Sequence, residues 1–282
     1  MSVLLSNDEK LAHSNWFYAL RMRIIQSIEK IEADYHDLYE KHQQNSHFTI
    51  TKWNRDGGGG GEMGVIRGNV FEKMGVNVSS VWGELSPDFS KQLPGTENSR
   101  HFWASGLSLV AHPRSPFVPP IHMNVRCIST GNAAWVAGGI DLNPILPGAA
   151  ETAEFHGKLR VMCNKHNPDY YEKFAKWCDE YFWLPHRKEH RGVGGVFFDY
   201  LAMENLDFVR EIGDNFIPIY DEIVRKKVEK TWSESDKKHQ LFRRGRYAEF
   251  NLLYDRGIKF GLMTNGNADS MMMSLPPLVS WE

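Results

Sequence analysis

Residues 102–142 read FWASGLSLVAHPRSPFVPPIHMNVRCISTGNAAWVAGGIDL, and they contain three stretches with the pattern of β-strands. These stretches are residues 102–112, 121–130 and 133–142. The turn sequence STGNAA lies between the second and third stretches and predicts an antiparallel hairpin. Strands that follow one another through short turns, without alternating helices, favour an antiparallel sheet covered by helices. We therefore predict an α+β fold in a single domain over residues 1–282.

The segment HPRSPFVPPIHMNVR (residues 112–126) holds four prolines, which predict a stiff loop before the second strand. Because side chains alternate along a strand, His122, Asn124 and Arg126 should lie on one face, with Met123 and Val125 on the core face. Such a row suits a carboxylate ligand, since the planar arginine fork binds carboxylates well. A polar face that is merely solvated is the alternative, and both interpretations stay open on this stretch alone.

Helical periodicity predicts long helices over residues 7–43, 168–183 and 205–230. Asn7 is the expected N-cap of the first helix, and Pro218 is expected to kink or break the last one. The stretch VGGVFFDYL, residues 193–201, predicts another strand. We also predict a second hairpin in RYAEFNLLYDRGIKFGLMT, residues 246–264, turning around Asp255-Arg256-Gly257.

The run GGGGGEMG, residues 57–64, lies between two strand-like segments. A five-glycine run is typical of a flexible linker. It could equally let the backbone approach a ligand closely, because glycine has no side chain to clash. The run lacks the Lys-Ser/Thr ending of a phosphate-binding loop, so it does not indicate nucleotide binding.

The composition argues against several classes of protein. The formal net charge is −2, so no basic field favours a nucleic-acid partner. Three cysteines without CxxC spacing do not form a disulfide framework, and they fit a reducing compartment. We find no secretory leader, no transit-peptide pattern and no apolar run long enough for a transmembrane segment. The expected location is therefore cytoplasmic.

Other polar elements could contribute to a site. Asp141 ends an apolar strand before Asn143-Pro144, where it could act as a base or anchor, or simply form the turn. The segments HRKEHRGVGG (residues 186–195) and RRGRYAEF (residues 243–250) bring several arginines. Basic clusters usually lie on a solvated face, but in a chain near neutrality they also suit a substrate with several carboxylates.

Histidines raise the question of a metal. None of His112, His122, His156 and His186 is paired at the spacing that places two ligands on one helix. No dinucleotide, haem-attachment or Walker fingerprint is present either. An enzyme built from these residues would draw its reactivity from its substrate.

The long stretch FWASGLSLVAHPRSPFVPPIHMNVRC resembles the signature of the oxygen-dependent coproporphyrinogen III oxidase family. Further blocks match in order over nearly the whole chain: GGGGG, VFEKMGVNVSSVWG, GGIDLNP, KWCDEYF, HRKEHRGVGGVFFD, RRGRYAEFNLLYDRGIKFGL and MMMSLPPLVSWE. The resemblance implies a large antiparallel sheet flanked on both faces by α-helices, and a homodimer formed through residues 247–282. It also implies oxidative decarboxylation of two propionates of coproporphyrinogen III to vinyl groups, giving protoporphyrinogen IX. Molecular oxygen is the implied co-substrate, with no metal or organic cofactor.

Residue roles follow from the same resemblance. It implies His122 as proton donor, Asp141 as the carboxylate facing the pyrrole nitrogens, and Arg191 as the arginine that holds a propionate. The implied substrate contacts are Ser108, Asn124, Val125, Arg126, Asn265, Gly266 and Asn267. If the enzyme were metal-dependent, the implied ligands would be His112, His122, His156 and His186.

The chain departs from the family pattern at several positions. Asn267 and Ser280 stand where arginines are usual, His190 replaces a common arginine, and Tyr200 replaces a second aspartate. The change at Asn267 weakens the case for a carboxylate grip at residues 265–267 except through backbone N–H groups. Two other function classes therefore stay open beside the cofactor-free oxidase. One is a metal-dependent oxygenase that uses the histidines, and the other is a non-catalytic porphyrin-binding protein.

Overall fold

A seven-stranded antiparallel sheet forms the centre of the computed structural model, which describes residues 4–38, 47–145, 148–263 and 266–282. Its strands follow the spatial order β1-β2-β3-β4-β5-β6-β9. They are β1 (Thr49–Asn54), β2 (Gly59–Ile66), β3 (Phe71–Glu84), β4 (His101–Pro113), β5 (Ile121–Ser129), β6 (Ala134–Leu142) and β9 (Gly195–Ala202). A separate ribbon pairs β7 (Trp183–Leu184) with β8 (Glu189–His190). The prediction of an α+β fold with an antiparallel sheet is confirmed.

The described helices are α1 (Asn7–Asp34), α2 (Pro87–Ser90), α3 (Ala149–His166), α4 (Tyr170–Tyr181), α5 (Leu206–Arg225), α6 (Glu234–Leu253), α7 (Arg256–Met263) and α8 (Ala268–Met272). Helices α1 and α5 pack against one face of the sheet, which we call the core face. Helix α6 and residues 268–282, here called the C-terminal segment, contact the opposite face, which we call the polar face. Tyr247 of α6 packs edge-on against His112, and Lys73 donates to the carbonyl of Leu275. Helices thus flank both faces of the sheet.

The predicted hairpin between β5 and β6 is confirmed. Ser129 lies opposite Ala134, and the turn closes with the Thr130 N–H donating to the Ala133 carbonyl over 2.8 Å. Strand β5 alternates as predicted, because Met123, Val125 and Cys127 are fully buried on the core face. Its even-numbered residues remain partly exposed on the polar face. Burial of the apolar set fixes the register, since a slip of one residue would reverse both faces.

The first helix begins and ends differently from the prediction. Its N-cap is Ser6, not Asn7, because the Ser6 hydroxyl accepts from the Glu9 N–H while the Glu9 carboxylate accepts from the Ser6 N–H. The helix ends at Asp34 and is followed by a turn. Residues 39–43 of the predicted extension lie outside the described residues.

The five-glycine run is not a linker. Gly57 and Gly58 form the turn after β1, and Gly59 begins β2. Gly58 and Gly59 have φ values of 118° and 82°, which L-residues with side chains rarely adopt. A Cβ on Gly59 would lie 2.2 Å from the Ser80 carbonyl oxygen of β3. Close packing of adjacent strands therefore explains this glycine, and the linker interpretation is wrong.

The predicted C-terminal hairpin is also wrong. The stretch from residue 246 to 263 forms the end of α6 and all of α7. Asp255 does not sit in a strand turn; its Oδ1 accepts from the N–H groups of Gly257 and Ile258, over 2.6 and 3.1 Å, and so caps α7. Tyr247 and Phe250, which resembled strand residues, instead lie buried on one face of α6, whereas Leu252 and Leu253 remain exposed.

Three further helical features differ from the sequence reading. Helix α3 was not predicted. Helix α4 starts at Tyr170, after Asp169, and α5 continues through Pro218 without a break. The strand predicted at residues 193–201 is observed as β9. None of the helices within the described ranges has the length and apolar character that spanning a bilayer requires.

Candidate active site

The polar face of the sheet has a floor of small residues beneath a row of polar side chains. On β4, β5 and β6 the register places Ser108 beside Asn124 and Gly139 on the other side of Asn124. Gly106 of β4 lies beside Arg126 and carries no side chain onto the floor, and Ala137 on its β6 side carries only a methyl group. Small residues therefore separate the polar groups on this surface, and Ser108, Asn124 and Arg126 remain partly exposed on it.

His122 and Asp141 are cross-strand partners at one end of this floor. The His122 Nδ1 donates to Asp141 Oδ1 over 2.8 Å, because a carboxylate oxygen can only accept. With Nδ1 as the donor, Nε2 can accept from Asn124 Nδ2, which is 3.3 Å away. The His122 side chain remains 15% exposed, so this pair presents the imidazole to the polar face.

The second oxygen of Asp141 has two donors. Arg191 donates to Oδ2 over 2.6 Å, and Asn143 donates to the same oxygen over 2.8 Å. Burial by itself would raise the pKa of Asp141, but the Arg191 charge and the His122 hydrogen bond lower it to about 2. Asp141 is therefore a permanent carboxylate at neutral pH. It is 2% exposed, and both of its oxygens are occupied by protein donors.

Arg191 lies in an aromatic box. Its guanidinium carbon is 3.9, 4.4 and 4.9 Å from the ring centroids of Phe182, Tyr247 and Phe250. It also donates to the Asn251 side chain over 3.1 Å, and the residue is only 3% exposed. Cation–π contacts of this kind stabilise a desolvated guanidinium. The described geometry makes Arg191 a counter-ion of Asp141; the propionate-holding role that the family resemblance implied stays a prediction.

Arg126 is the more accessible arginine. Its side chain is 33% exposed on the polar face, and its nearest described carboxylate is Asp199 at 3.6 Å. Within the described residues, the buried Arg126 Nε and Asn124 Oδ1 have no hydrogen-bond partner. Buried polar atoms without partners are costly, and their presence together indicates where a polar ligand would complete the site.

The other residues predicted to contact the substrate do not all lie on the floor. Ser108 lies on the floor beside Asn124, whereas the Val125 side chain is fully buried on the core face and cannot contact a ligand there. Asn265 lies outside the described residues. Asn267 caps α8 by accepting from the Ser270 N–H over 2.8 Å, and the Gly266 N–H donates to Gly261. Their described hydrogen bonds do not join them to the His122–Asp141 pair.

The four histidines that were candidate metal ligands have separate partners. His112 pairs with the Ser274 carbonyl, His122 with Asp141, His156 with Tyr171 and the Val193 carbonyl, and His186 with Glu249 and Tyr254. Among the residues that the structure describes, no three His, Cys, Asp or Glu side chains are grouped as a metal centre would need. The structure therefore does not bring these histidines into one ligand set.

Several site residues escaped the sequence reasoning. Asn143 was recognised only as part of an Asn-Pro turn, and Asn251, Tyr247 and Phe250 were assigned to a strand of the mistaken hairpin. A helical reading of residues 234–253 would have placed Tyr247, Phe250 and Asn251 on one face, three or four residues apart. Nothing in the sequence connects that face to Arg191.

Comparisons with known proteins show the family to which the chain belongs. A family model described as coproporphyrinogen III oxidase matches residues 13–282. A protein of Rickettsia bellii (strain OSU 85-389) is 50% identical over 272 residues, covering 95% of this chain and 96% of the relative. A protein of Rickettsia akari (strain Hartford) is 49% identical over 278 residues, covering 97% and 99%. Both relatives are named oxygen-dependent coproporphyrinogen-III oxidase. The chain therefore belongs to the coproporphyrinogen III oxidase family.

Proposed function

We propose that the protein catalyses the oxygen-dependent oxidative decarboxylation of two propionates of coproporphyrinogen III, giving protoporphyrinogen IX. The observation that carries the proposal is the chain of contacts from Arg191 through Asp141 to His122, placed at the end of an open polar floor. The names of the relatives support the reaction. The contacts among Arg191, Asp141 and His122 support the way in which the protein assists that reaction.

In this proposal Asp141 acts through His122. The carboxylate holds the imidazole in the tautomer whose Nε2 is bare, and its charge stabilises the imidazolium once that nitrogen takes a proton. Arg191 and Asn143 hold the carboxylate in place and keep it ionised. His122 then removes a pyrrole N–H proton, which makes the electron-rich macrocycle reactive toward oxygen.

Molecular oxygen is the only oxidant that the proposed decarboxylation requires. The deprotonated macrocycle adds oxygen to give a peroxide on the ring, and the peroxide takes a β-hydrogen from the propionate. Cleavage of the ring C–O bond releases hydroperoxide, which takes up one proton to become hydrogen peroxide. Loss of carbon dioxide then gives the vinyl group, and the pyrrole nitrogen takes back the proton held by His122. Each propionate thus consumes one oxygen molecule and one proton. We propose that no metal or organic cofactor takes part.

Arg126 is the proposed anchor for a substrate carboxylate. Its fork lies on the accessible part of the floor, and its Nε has no described protein partner. A bidentate arginine–carboxylate pair fixes both position and orientation, and orientation contributes much of the rate of such reactions. Ser108 and Asn124 would contact the macrocycle from the same floor.

The test is aerobic turnover of purified, chelator-treated protein with coproporphyrinogen III, followed by fluorescence of protoporphyrin after the product is oxidised. We expect product without added metal. Turnover that appears only after manganese or iron is restored would identify a metal-dependent oxygenase. Tight substrate binding without vinyl product, with or without metal, would identify a porphyrin-binding protein.

We also propose that two copies of the chain associate through residues 247–282. Large apolar side chains in this region are exposed by 44–58% of their surface: Leu252, Leu253, Leu262, Met263, Leu278 and Trp281. Exposed apolar residues concentrated in one region of a chain are typical of an interaction surface. An isologous two-fold contact would bury the same surface on both subunits.

A further inference from the structure

We propose that His112 is a positioning residue: it holds the C-terminal segment, and with it the aromatic box of Arg191, in the geometry that the site requires. This inference rests on the proposed function, because it concerns the residues that support Asp141. It assigns a structural task to a residue that was a candidate metal ligand, and three sets of contacts support it.

The first set defines the state of His112 itself. The residue lies near the end of β4 and is fully buried. Its Nε2 is 2.9 Å from the Ser274 carbonyl oxygen, which can only accept, so Nε2 carries the hydrogen. Burial, reinforced by the nearby Arg244 charge, lowers the pKa of His112 well below its usual value. The imidazole is therefore neutral, with Nε2 committed to the C-terminal segment.

The second set of contacts shows that the bond from His112 to Ser274 is one of several that hold the C-terminal segment in place. Lys73, the cross-strand partner of His112, donates to the next carbonyl, that of Leu275, over 2.8 Å. Met273 is 5% exposed and lies against Gly75 of β3, where an added Cβ would meet its sulfur at 2.9 Å. Further along, the Trp281 indole donates to Glu249 of α6 over 2.8 Å. The segment thus lies between the polar face and α6.

The third set of contacts connects His112 and the C-terminal segment to the catalytic groups. The Tyr247 ring contacts both sides: its centroid is 5.2 Å from the His112 ring and 4.4 Å from the guanidinium carbon of Arg191. Asn251 bridges in parallel, because it accepts from Arg191 over 3.1 Å and donates to the Ser274 hydroxyl over 3.4 Å. Displacing Ser274 or Tyr247 would therefore release Arg191, which in turn holds Asp141.

The experiment compares two substitutions of one residue. His112→Gln keeps an N–H near the Nε2 position and can still donate to Ser274, whereas His112→Leu keeps bulk and cannot donate. The matched control is His101→Gln at the exposed start of the same strand. For each variant we would measure kcat and KM with coproporphyrinogen III, metal content, and hydrogen exchange of amides in residues 268–282.

We expect His112→Leu to lower kcat roughly 100-fold, the loss that a displacement of about 1 Å at a catalytic group can cause. KM should change little, and exchange in residues 268–282 should rise at least about tenfold, since those amides lose their anchor. His112→Gln should recover most of the activity and protection, and His101→Gln should match the unsubstituted protein.

Two results would overturn the inference. Equal impairment of both His112 variants, relieved by added manganese or iron, would make His112 a metal ligand. Unchanged kcat and unchanged exchange in His112→Leu would make it a bystander. If the unsubstituted protein made no product, the proposed function would fail, and the exchange measurement would still decide whether His112 holds the C-terminal segment.

Discussion

At the scale of single residues, the site depends on one buried carboxylate whose two oxygens have different partners. Oδ1 of Asp141 orients His122, and Oδ2 is held by Arg191 and Asn143. A buried ion pair of this kind is a weak source of stability, but removing one partner leaves the other charge uncompensated, which costs about 3–5 kcal/mol. The pair therefore fixes geometry more than it stabilises the fold.

Substitution of Arg126 should affect binding more than chemistry. We expect Arg126→Gln to raise KM about tenfold or more, because a charge-assisted hydrogen bond to a carboxylate contributes about 1.5–3 kcal/mol. Arg126→Lys should be intermediate, since a lysine keeps the charge but loses the fork. Steady-state kinetics would measure this. The control is Arg100→Gln, which removes an exposed arginine beside Glu84; equal effects at both positions would contradict the assignment.

The neutral state of His112 predicts a pH dependence of folding. Its pKa is lowered in the folded protein, by burial and then by Arg244, so the unfolded chain binds the proton more readily. The free energy of unfolding should therefore fall as the pH drops below about 6.5, by up to about 1.4 kcal/mol per pH unit. His112→Gln cannot titrate, so its urea unfolding should lose less stability between pH 7 and pH 5. Parallel curves for both proteins would refute this account of the imidazole.

At the scale of elements, the site joins a sheet to a helix. Strands β5 and β6 supply His122 and Asp141, and the stretch between β8 and β9 supplies Arg191. Helix α6, together with Phe182 at the end of α4, supplies the residues that surround the Arg191 guanidinium. The positions of His122 and Asp141 on their strands could be predicted, because period-two alternation is local and the STGNAA turn sets the register. The contribution of α6 could not be predicted, because aromatic residues favour strands locally. Only tertiary packing shows that they form one face of a helix.

Substitution of Asp255, which caps α7, tests whether this region is helical instead of forming the predicted hairpin. We expect Asp255→Ala to lower the free energy of unfolding by about 1 kcal/mol, because two N–H groups at the start of α7 lose their acceptor. Asp255→Asn retains an acceptor oxygen and should lose much less. Urea denaturation of the three proteins would measure the difference, and an equal loss in both variants would argue against a capping role.

At the scale of the whole molecule, the proposed homodimer accounts for the exposed apolar side chains near the C-terminus. We expect Leu253→Glu combined with Met263→Glu to produce monomers in light scattering, since both side chains are at least half exposed and a buried charge disfavours the interface. Leu11→Glu, at 60% exposure on α1, is the control and should leave the mass unchanged. A monomeric unsubstituted protein would exclude the dimer.

The sequence predicted the fold class and the row of polar residues on β5, but not how those residues divide their tasks. The family resemblance implied direct substrate contact for Asp141 and Arg191; in the folded chain both are buried, and in the proposed mechanism they act behind His122. Burial of this kind depends on α6 and the C-terminal segment, which are distant in sequence from β6. Linear motifs identify such residues without showing which of them faces the ligand.

The central claim is that Asp141 assists the reaction through His122, and Asp141→Asn tests it most directly. The substitution keeps the shape of the side chain and removes its charge. In the chelated, aerobic assay we expect kcat to fall roughly 100-fold or more, in the range of general acid–base assistance, while KM changes little. An Asp141→Asn protein that makes protoporphyrinogen at the unsubstituted rate would contradict the account.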